Sequence, residues 1–369
     1  MGDSNKPSGI KDIAKALGVS IGTVDRALHG RPGVNPITRT RVLRMAKELD
    51  YRPNVAARNL KLRKKIVISV LLPEEIASFY DVLREGIREA ARPFESTIEL
   101  QFRSYPRLGE GDAALFEEAL EQGANGIILA PGRPDALKAL IRRAARNRVP
   151  VVCVTTDAPG TERLATVSSD AYTSGSMVAE LLSRCLPRGG EVVIVTGDLG
   201  TYDHAEKVRG FREMLERMSS GLRVAEVIEA HDDPELAYRL TGESVTRRPE
   251  LSAVYVSTAN SMPVVRALDE RGVLGQVTVM TTDLFPTLAP LIRSGKVMGT
   301  VYQRPRAQGR MAFQALYQFL VEGNCPQVRH RVPPHIILRS NLDLFLEILP
   351  GDFEEAVGPL EGSEAGREG

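Results

Sequence analysis

Two stretches of this 369-residue chain place the same chemistry-bearing tripeptide after an apolar run. Val151-Val152-Cys153-Val154 leads into Thr155-Thr156-Asp157, and Val277-Thr278-Val279-Met280 leads into Thr281-Thr282-Asp283. Each run reads as a buried strand, so each carboxylate follows a strand C-terminus, where open α/β sheets bind their ligands. A carboxylate there accepts hydrogen bonds from hydroxyl groups. Two acids are also the equipment of a glycoside hydrolase. Their place at equivalent points of two similar units suits clamping a polyol better than acid–base work across a bond. Val195-Thr196-Gly197-Asp198-Leu199-Gly200 lacks the G-x-x-x-x-G-K-[ST] of a phosphate loop, and no G-x-S-x-G or H-E-x-x-H occurs. The sequence predicts a binding protein, not an enzyme.

The elements that must hold these acids are legible from Ile66 onward. Strand-like runs (66–72, 97–103, 126–130, 150–154, 191–197, 223–229, 253–257, 277–281) alternate with helical patterns such as 80–91, 136–147, 175–186 and 207–218. Alternation of this kind implies doubly wound parallel sheets, and there are too many units for one sheet of usual size. Two lobes with a cleft between them are expected. The late strands 297–302 and 335–339 suggest that the chain crosses back to the first lobe near 297 and returns to the second near 330.

Ahead of this core, Ile10 to Gly30 has a different pattern. Ile13, Ala14 and Leu17 share one helical face, Gly18 suits a left-handed exit, and Ser20 can cap the next helix. Val24, Ala27 and Leu28 form the inward face of that second helix, leaving Ile21, Gly22, Asp25 and Arg26 outside. This is a helix-turn-helix, whose second helix enters the DNA major groove. Asn35-Pro36 opens a third helix, with Val42, Leu43, Ala46 and Leu49 on one face. Asn54 can then cap a short helix, too short to persist without DNA or a second copy beside it.

Charge divides the chain at the same boundary. Residues 1–65 hold 15 Lys and Arg against 5 Asp and Glu, and the remainder holds 33 against 42. A basic first sixth on an acidic body predicts a polyanionic partner for the front end. No apolar run reaches the length of a membrane span, and the start carries no secretory signal pattern. Cys153, Cys185 and Cys325 have no metal-ligand spacing; the first two lie in apolar runs and are expected to be buried. No cofactor or metal is implied, and a cytoplasmic location fits. Residues 350–369 read as a disordered acidic tail.

The stretch IKDIAKALGVSIGTVDRALHG, followed by VNPITRTRVLRMAKELDYRPNVAARNLK, resembles the lactose-repressor (LacI/GalR) family of bacterial transcription regulators. The resemblance is specific over 10–61 and looser to about 345. It implies a small all-α headpiece (1–53), a hinge helix and basic linker (54–65), and an α/β two-lobed core like that of periplasmic sugar-binding proteins (66–349). The lobes are expected at 66–167 with 297–326, and at 168–296 with 327–349. Ile21, Gly22 and Arg26 match base-reading positions, and Ser20 and Thr23 match phosphate contacts. Arg26 can address guanine with two hydrogen bonds, worth about 1–3 kcal/mol of discrimination. Asp25 departs from the family's usual serine. Arg52, Asn54 and Arg58 are expected on the DNA backbone. Leu60 matches the hinge leucine that wedges into a minor-groove step, a role that suits an apolar side chain among basic neighbours.

In the core, Phe79 and Tyr80 resemble the aromatic position that stacks on a sugar ring. Lys207 falls where an arginine is customary and lacks its fork. Asn260 and Gln303 resemble the remaining polar cleft positions, beside Asp157 and Asp283. The implied protein is a homodimer on a near-palindromic operator, most simply a repressor, controlled by a sugar or polyol in the interlobe cleft. No leucine heptad in the tail points beyond a dimer. A transport-type sugar-binding protein or sensor without operator control is the alternative.

Overall fold

The structure is a computed structural model that describes residues 10–28, 32–49 and 65–348. The expected hinge positions Arg52, Asn54, Arg58 and Leu60, and the tail, lie outside these residues. Three helices come first: α1 (Ile10–Leu17), α2 (Ile21–Leu28) and α3 (Pro36–Glu48). Gly18 takes a φ of 65° between α1 and α2, a conformation that costs glycine little. Ser20 Oγ accepts from the Thr23 amide at 3.0 Å, and Asn35 accepts from Ile37 N at 2.8 Å to open α3. Ile13, Ala14, Val24, Ala27, Val42 and Ala46 are buried and make a core of their own. Leu43 departs from expectation. It is 47% exposed, because the turn places Met45, not Leu43, against that core.

Among the described residues twelve strands follow: β1 (Ile66–Pro73), β2 (Ile98–Tyr105), β3 (Gly126–Leu129), β4 (Val151–Val154), β5 (Ala165–Ser169), β6 (Gly190–Thr196), β7 (Leu222–Glu229), β8 (Leu251–Val256), β9 (Thr278–Thr282), β10 (Gly299–Tyr302), β11 (Arg329–Val332) and β12 (His335–Leu338). They form two six-stranded sheets, ordered β11-β5-β4-β3-β1-β2 and β12-β10-β9-β8-β6-β7. The pairing is parallel throughout except between β10 and β12. The connecting helices are α4 (Ala77–Ala91), α5 (Asp112–Glu121), α6 (Pro134–Arg146), α7 (Ala171–Cys185), α8 (Tyr202–Arg217), α9 (Pro234–Arg247), α10 (Ser261–Glu270), α11 (Ala289–Ser294), α12 (Pro305–Tyr317) and α13 (Leu342–Ile348).

Sheet pairing corrects the expected lobe boundaries. The stretch 297–302 carries β10, which pairs with β9 and so belongs to the second sheet, not the first lobe. The chain crosses at Gln303-Arg304, and α12 then packs on α4 in the first lobe. It returns after β11, which pairs with β5. Two short strands, β5 and β11, are absent from the sequence reading. Cys153 is buried, but Cys185 is exposed at the last turn of α7.

One helix pair in each lobe crosses at glycines. A Cβ on Gly86 of α4 would lie 2.2 Å from Arg306 O of α12, and one on Gly309 would lie 2.2 Å from Leu83 O. In the second lobe a Cβ on Gly175 of α7 would lie 1.9 Å from Lys207 O of α8, and one on Gly210 would lie 2.1 Å from Tyr172 O. The second crossing fixes the turn of α8 that carries Lys207.

Candidate functional site: a recognition helix and an interlobe cleft

The N-terminal turn of α2 forms the first candidate surface. Ile21 is 49% exposed, an apolar side chain presented outward at the start of a helix. Gly22 lies beneath Arg26: a Cβ there would sit 3.9 Å from the guanidinium Nη1. Ser20 and Thr23 join their hydroxyls at 2.9 Å. Ser20, Ile21, Gly22, Thr23 and Arg26 therefore share one patch, shaped to offer an apolar contact, a cationic fork and two hydroxyls to a groove.

The second candidate is the cleft between the sheets. Ile76, Phe79, Tyr80, Leu108, Thr155 and Thr156 line it from the first lobe. Thr201, Asp203, His204, Lys207, Asp232, Thr258 and Ala259 line it from the second, with Gln303 at the crossover. Phe79 and Tyr80 meet edge to face, 5.1 Å between centroids, and both are buried. Asp203 and Lys207 stand one helical turn apart on α8, on the same face. Lys207 Nζ donates to Ser257 O at 3.0 Å. Burial pushes its ammonium below the ordinary lysine value, against the pull of Asp203, Asp283 and Asp232. Burial also pushes the Asp203 carboxyl up to about 8, with Lys207 as the opposing charge. His204 accepts from Asp198 N through Nδ1 at 3.1 Å, and burial lowers its pKa; the neutral ring then keeps Nε2–H as a donor. Asp232 accepts from Thr258 Oγ1 at 2.6 Å. Several residues around the cleft hold a left-handed backbone, among them Ile76, Thr155, His231, Asp232 and Asp283. Such strain gathers at functional sites.

Of the residues expected here, Phe79, Tyr80, Lys207 and Gln303 face the cleft. The two Thr-Thr-Asp carboxylates do not. Asp157 is held by Arg163, whose Nη2 donates at 2.7 Å, by Ala158 N at 2.7 Å and by the Thr166 hydroxyl. Its oxygens are committed to the protein, so the clamp expected of it is corrected. Asp283 is buried behind Gln303, accepting from Gln303 N at 2.9 Å and Nε2 at 2.6 Å. Burial raises its carboxyl to about 6 against those two donors. Asp283 thus positions Gln303.

The repeat misleads because its two copies differ in register. Strand β9 includes both threonines, so Asp283 is the first residue beyond it, whereas β4 ends at Val154. Asp283 N bonds to Val301 O at 2.8 Å, and Thr155 N bonds to Val167 O at 2.9 Å; both have a φ of 65°. Structurally, Asp283 corresponds to Thr155. Asn260 also stands back, donating to Asp232 O at 3.2 Å and so holding that loop.

Asp203, His204 and Asp232 are the charged and ring residues that the sequence reading leaves out of the site. A signal for one existed: Asp203 precedes Lys207 by four, one turn ahead of the helical pattern expected from 207, and the structure starts that helix at Tyr202. At the rim, Arg133 bridges to Asp198 at 2.5 Å and Arg107 to Asp233 at 3.2 Å, joining the lobes. Asp198, Glu229 and His231 could hold a metal, each offering a ligand atom within 4.8 Å of the others. Asp198 is taken by Arg133 and Gly200 N, and Glu229 by Leu199 N.

Comparison with known proteins agrees with this division. The family model for bacterial regulatory proteins of the lacI family matches residues 9–54, and a periplasmic binding protein domain matches 68–324. Catabolite control protein A of Priestia megaterium is 24% identical over 331 residues, 88% of this chain and 97% of its own length. The transcriptional repressor PurR of Proteus mirabilis is 24% identical over 341 residues, covering 90% and 96%. Among solved structures, a solute-binding protein of Burkholderia graminis in complex with D-arabinose has a TM-score of 0.70 at 20% identity, covering 75% of this chain and 97% of its own. One of Bacillus halodurans with bound myo-inositol has 0.70 at 20%, covering 77% and 98%. Among the described residues no helix is long and apolar enough to cross a membrane.

Proposed function

This chain belongs to the lacI family of bacterial regulatory proteins and carries a periplasmic binding protein domain as its core, and from that premise we propose how it works. It is a cytoplasmic, non-catalytic homodimer whose two α2 helices occupy successive major grooves of a near-palindromic operator. Arg26 and Ile21 read bases, Ser20 and Thr23 touch phosphates, and Arg52, Asn54, Arg58 and Leu60 complete the grip at the hinge. A sugar or polyol in the cleft sets the distance between the lobes and thereby the operator affinity.

The observation that carries this reading is the cleft itself. Donors, acceptors and an aromatic wall converge on it from both lobes, so a ligand there bears on their relative position. Structural neighbours of the core bind neutral polyhydroxylated molecules, D-arabinose and myo-inositol. Coupling of about 1–3 kcal/mol, or 5–150-fold, is the usual size of such a switch.

The test selects an operator from random DNA with the full chain. Affinity for that operator is then measured with D-arabinose, D-fucose, D-allose or myo-inositol present. A palindromic site, and a shift of at least about 5-fold by one compound, is the expected result. Tight ligand binding with no effect on DNA affinity would leave a transport-type sensor instead.

A further inference from the structure

We infer that the effector is uncharged, and that Asp203 selects it by accepting hydrogen bonds from its hydroxyl groups. This rests on the sugar-or-polyol reading and narrows it.

The first ground is an unpaired atom. Asp203 is 4% exposed and lines the cleft, yet its Oδ2 has no hydrogen-bond partner among the described residues. A buried carboxyl oxygen without a donor is costly, and a ligand hydroxyl supplies one. The second ground is charge. Lys207 is the one cation among the described residues of the lining, opposite two acids, Asp203 and Asp232. One Lys207 proton already goes to Ser257 O, and His204 uses Nδ1 as an acceptor. A sugar acid or phosphate set on Asp203 in its ionised, hydrogen-bond-accepting form would meet two carboxylates and a single, partly committed ammonium. The third ground is the opposite wall, where Ile76, Phe79 and Leu108 offer apolar surface to the C–H face of a ring.

The groups bearing on Asp203 give its hydroxyl binding a pH dependence. Lys207 favours the ionised form, while burial, Asp157, Asp170 and Glu206 oppose it and hold the carboxyl up to about 8. His204 and Asp232 share the same wall. A hydroxyl donated to Asp203 favours the carboxylate. The carboxyl O–H bond breaks, the proton passes to buffer, and the hydroxyl hydrogen bond forms in its place.

Calorimetry on the full chain tests this with matched sets: D-galactose, D-galacturonate, D-galactose 6-phosphate and D-galactosamine, and myo-inositol with its 1-phosphate. At least one neutral compound should bind, and its acid and phosphate counterparts should bind about 100-fold more weakly, since like charges brought together are strongly disfavoured. Affinity for the neutral compound should rise by up to about tenfold per pH unit below pH 8 and level off above it. At pH 7 its heat should vary with buffer ionisation enthalpy, and D203N should lose both dependences. Tighter binding of an acid, a phosphate or the amine, or affinity flat from pH 6 to 9, would overturn the inference while leaving a sugar effector in place. Binding by no member of any set would overturn the sugar reading itself. Should D203N not fold, the matched sets and the wild-type pH series still decide.

Discussion

The two lobes share a scaffold but not a chemistry. Each is a six-stranded sheet with the same strand order, and each contains a helix pair that meets through glycines. Facing the cleft, the first lobe presents apolar and hydroxyl side chains, with Phe79 and Tyr80 at its centre. The second presents all the charge, through Asp203, Lys207 and Asp232, together with His204. The rim divides in the same sense: both bridging arginines come from the first lobe and both aspartates from the second. A duplicated frame therefore lets one lobe shape the ligand and the other assign its polar groups.

The largest expected effect separates frame from site at Asp157. If this acid served the ligand as the repeat suggests, Asp157→Ala would weaken binding and leave stability alone. Its carboxylate is instead buried against buried Arg163. Removing one partner of such a pair costs about 3–5 kcal/mol. Urea denaturation should show that loss, while effector affinity of the folded protein, compared above pH 8 where Asp203 is ionised in either form, changes less than twofold. The opposite result would restore a ligand role to the first lobe's acid.

The glycine crossings give the next test. Gly175→Ala and Gly86→Ala each force a methyl group into a backbone carbonyl, so each should cost about 1–3 kcal/mol or more as the helices part. The lobes should then differ. Gly175 presses on the carbonyl of Lys207, so G175A should also weaken effector binding, whereas Gly86 presses on Arg306, away from the lining. Equal effects on affinity would mean that the two lobes transmit strain to the cleft alike.

How much of this was legible follows how local each feature is. The turn at Gly18, the caps at Ser20 and Asn35 and the α1–α2 seam rest on residues within a few positions of one another, and the structure shows each of them. Leu43 failed because five apolar residues in 42–49 competed for a narrow face, and Met45 took the place. Alternating strands and helices were legible from the apolar runs, but β5 and β11 were not, being short and partly polar. Sheet membership of 297–302 was beyond pattern reading, because a strand's partners are set by distant residues. Phe79, Tyr80, Lys207 and Gln303 came through family resemblance. Asp157 and Asp283 came from a repeat whose register only hydrogen bonding to Val167 and Val301 reveals. Asp232 was hidden because its site follows from a left-handed backbone after β7.

The smallest expected effect lies at the rim, where the lobes meet by charge. Arg133 is 57% exposed on its side chain and Asp198 15%, so the bridge is largely screened and worth ~0–1 kcal/mol. Arg133→Ala should weaken effector binding by at most about fivefold, because the bridge favours lobe closure without touching the lining. The difference should shrink toward nothing in about 1 M salt, where the screening length falls to about 3 Å. Operator affinity without effector should move by no more than the same factor, in the direction that open lobes favour. A loss near 100-fold, insensitive to salt, would make Arg133 a ligand contact. The first lobe would then supply charge after all, and the division of labour between the lobes would fail at its edge.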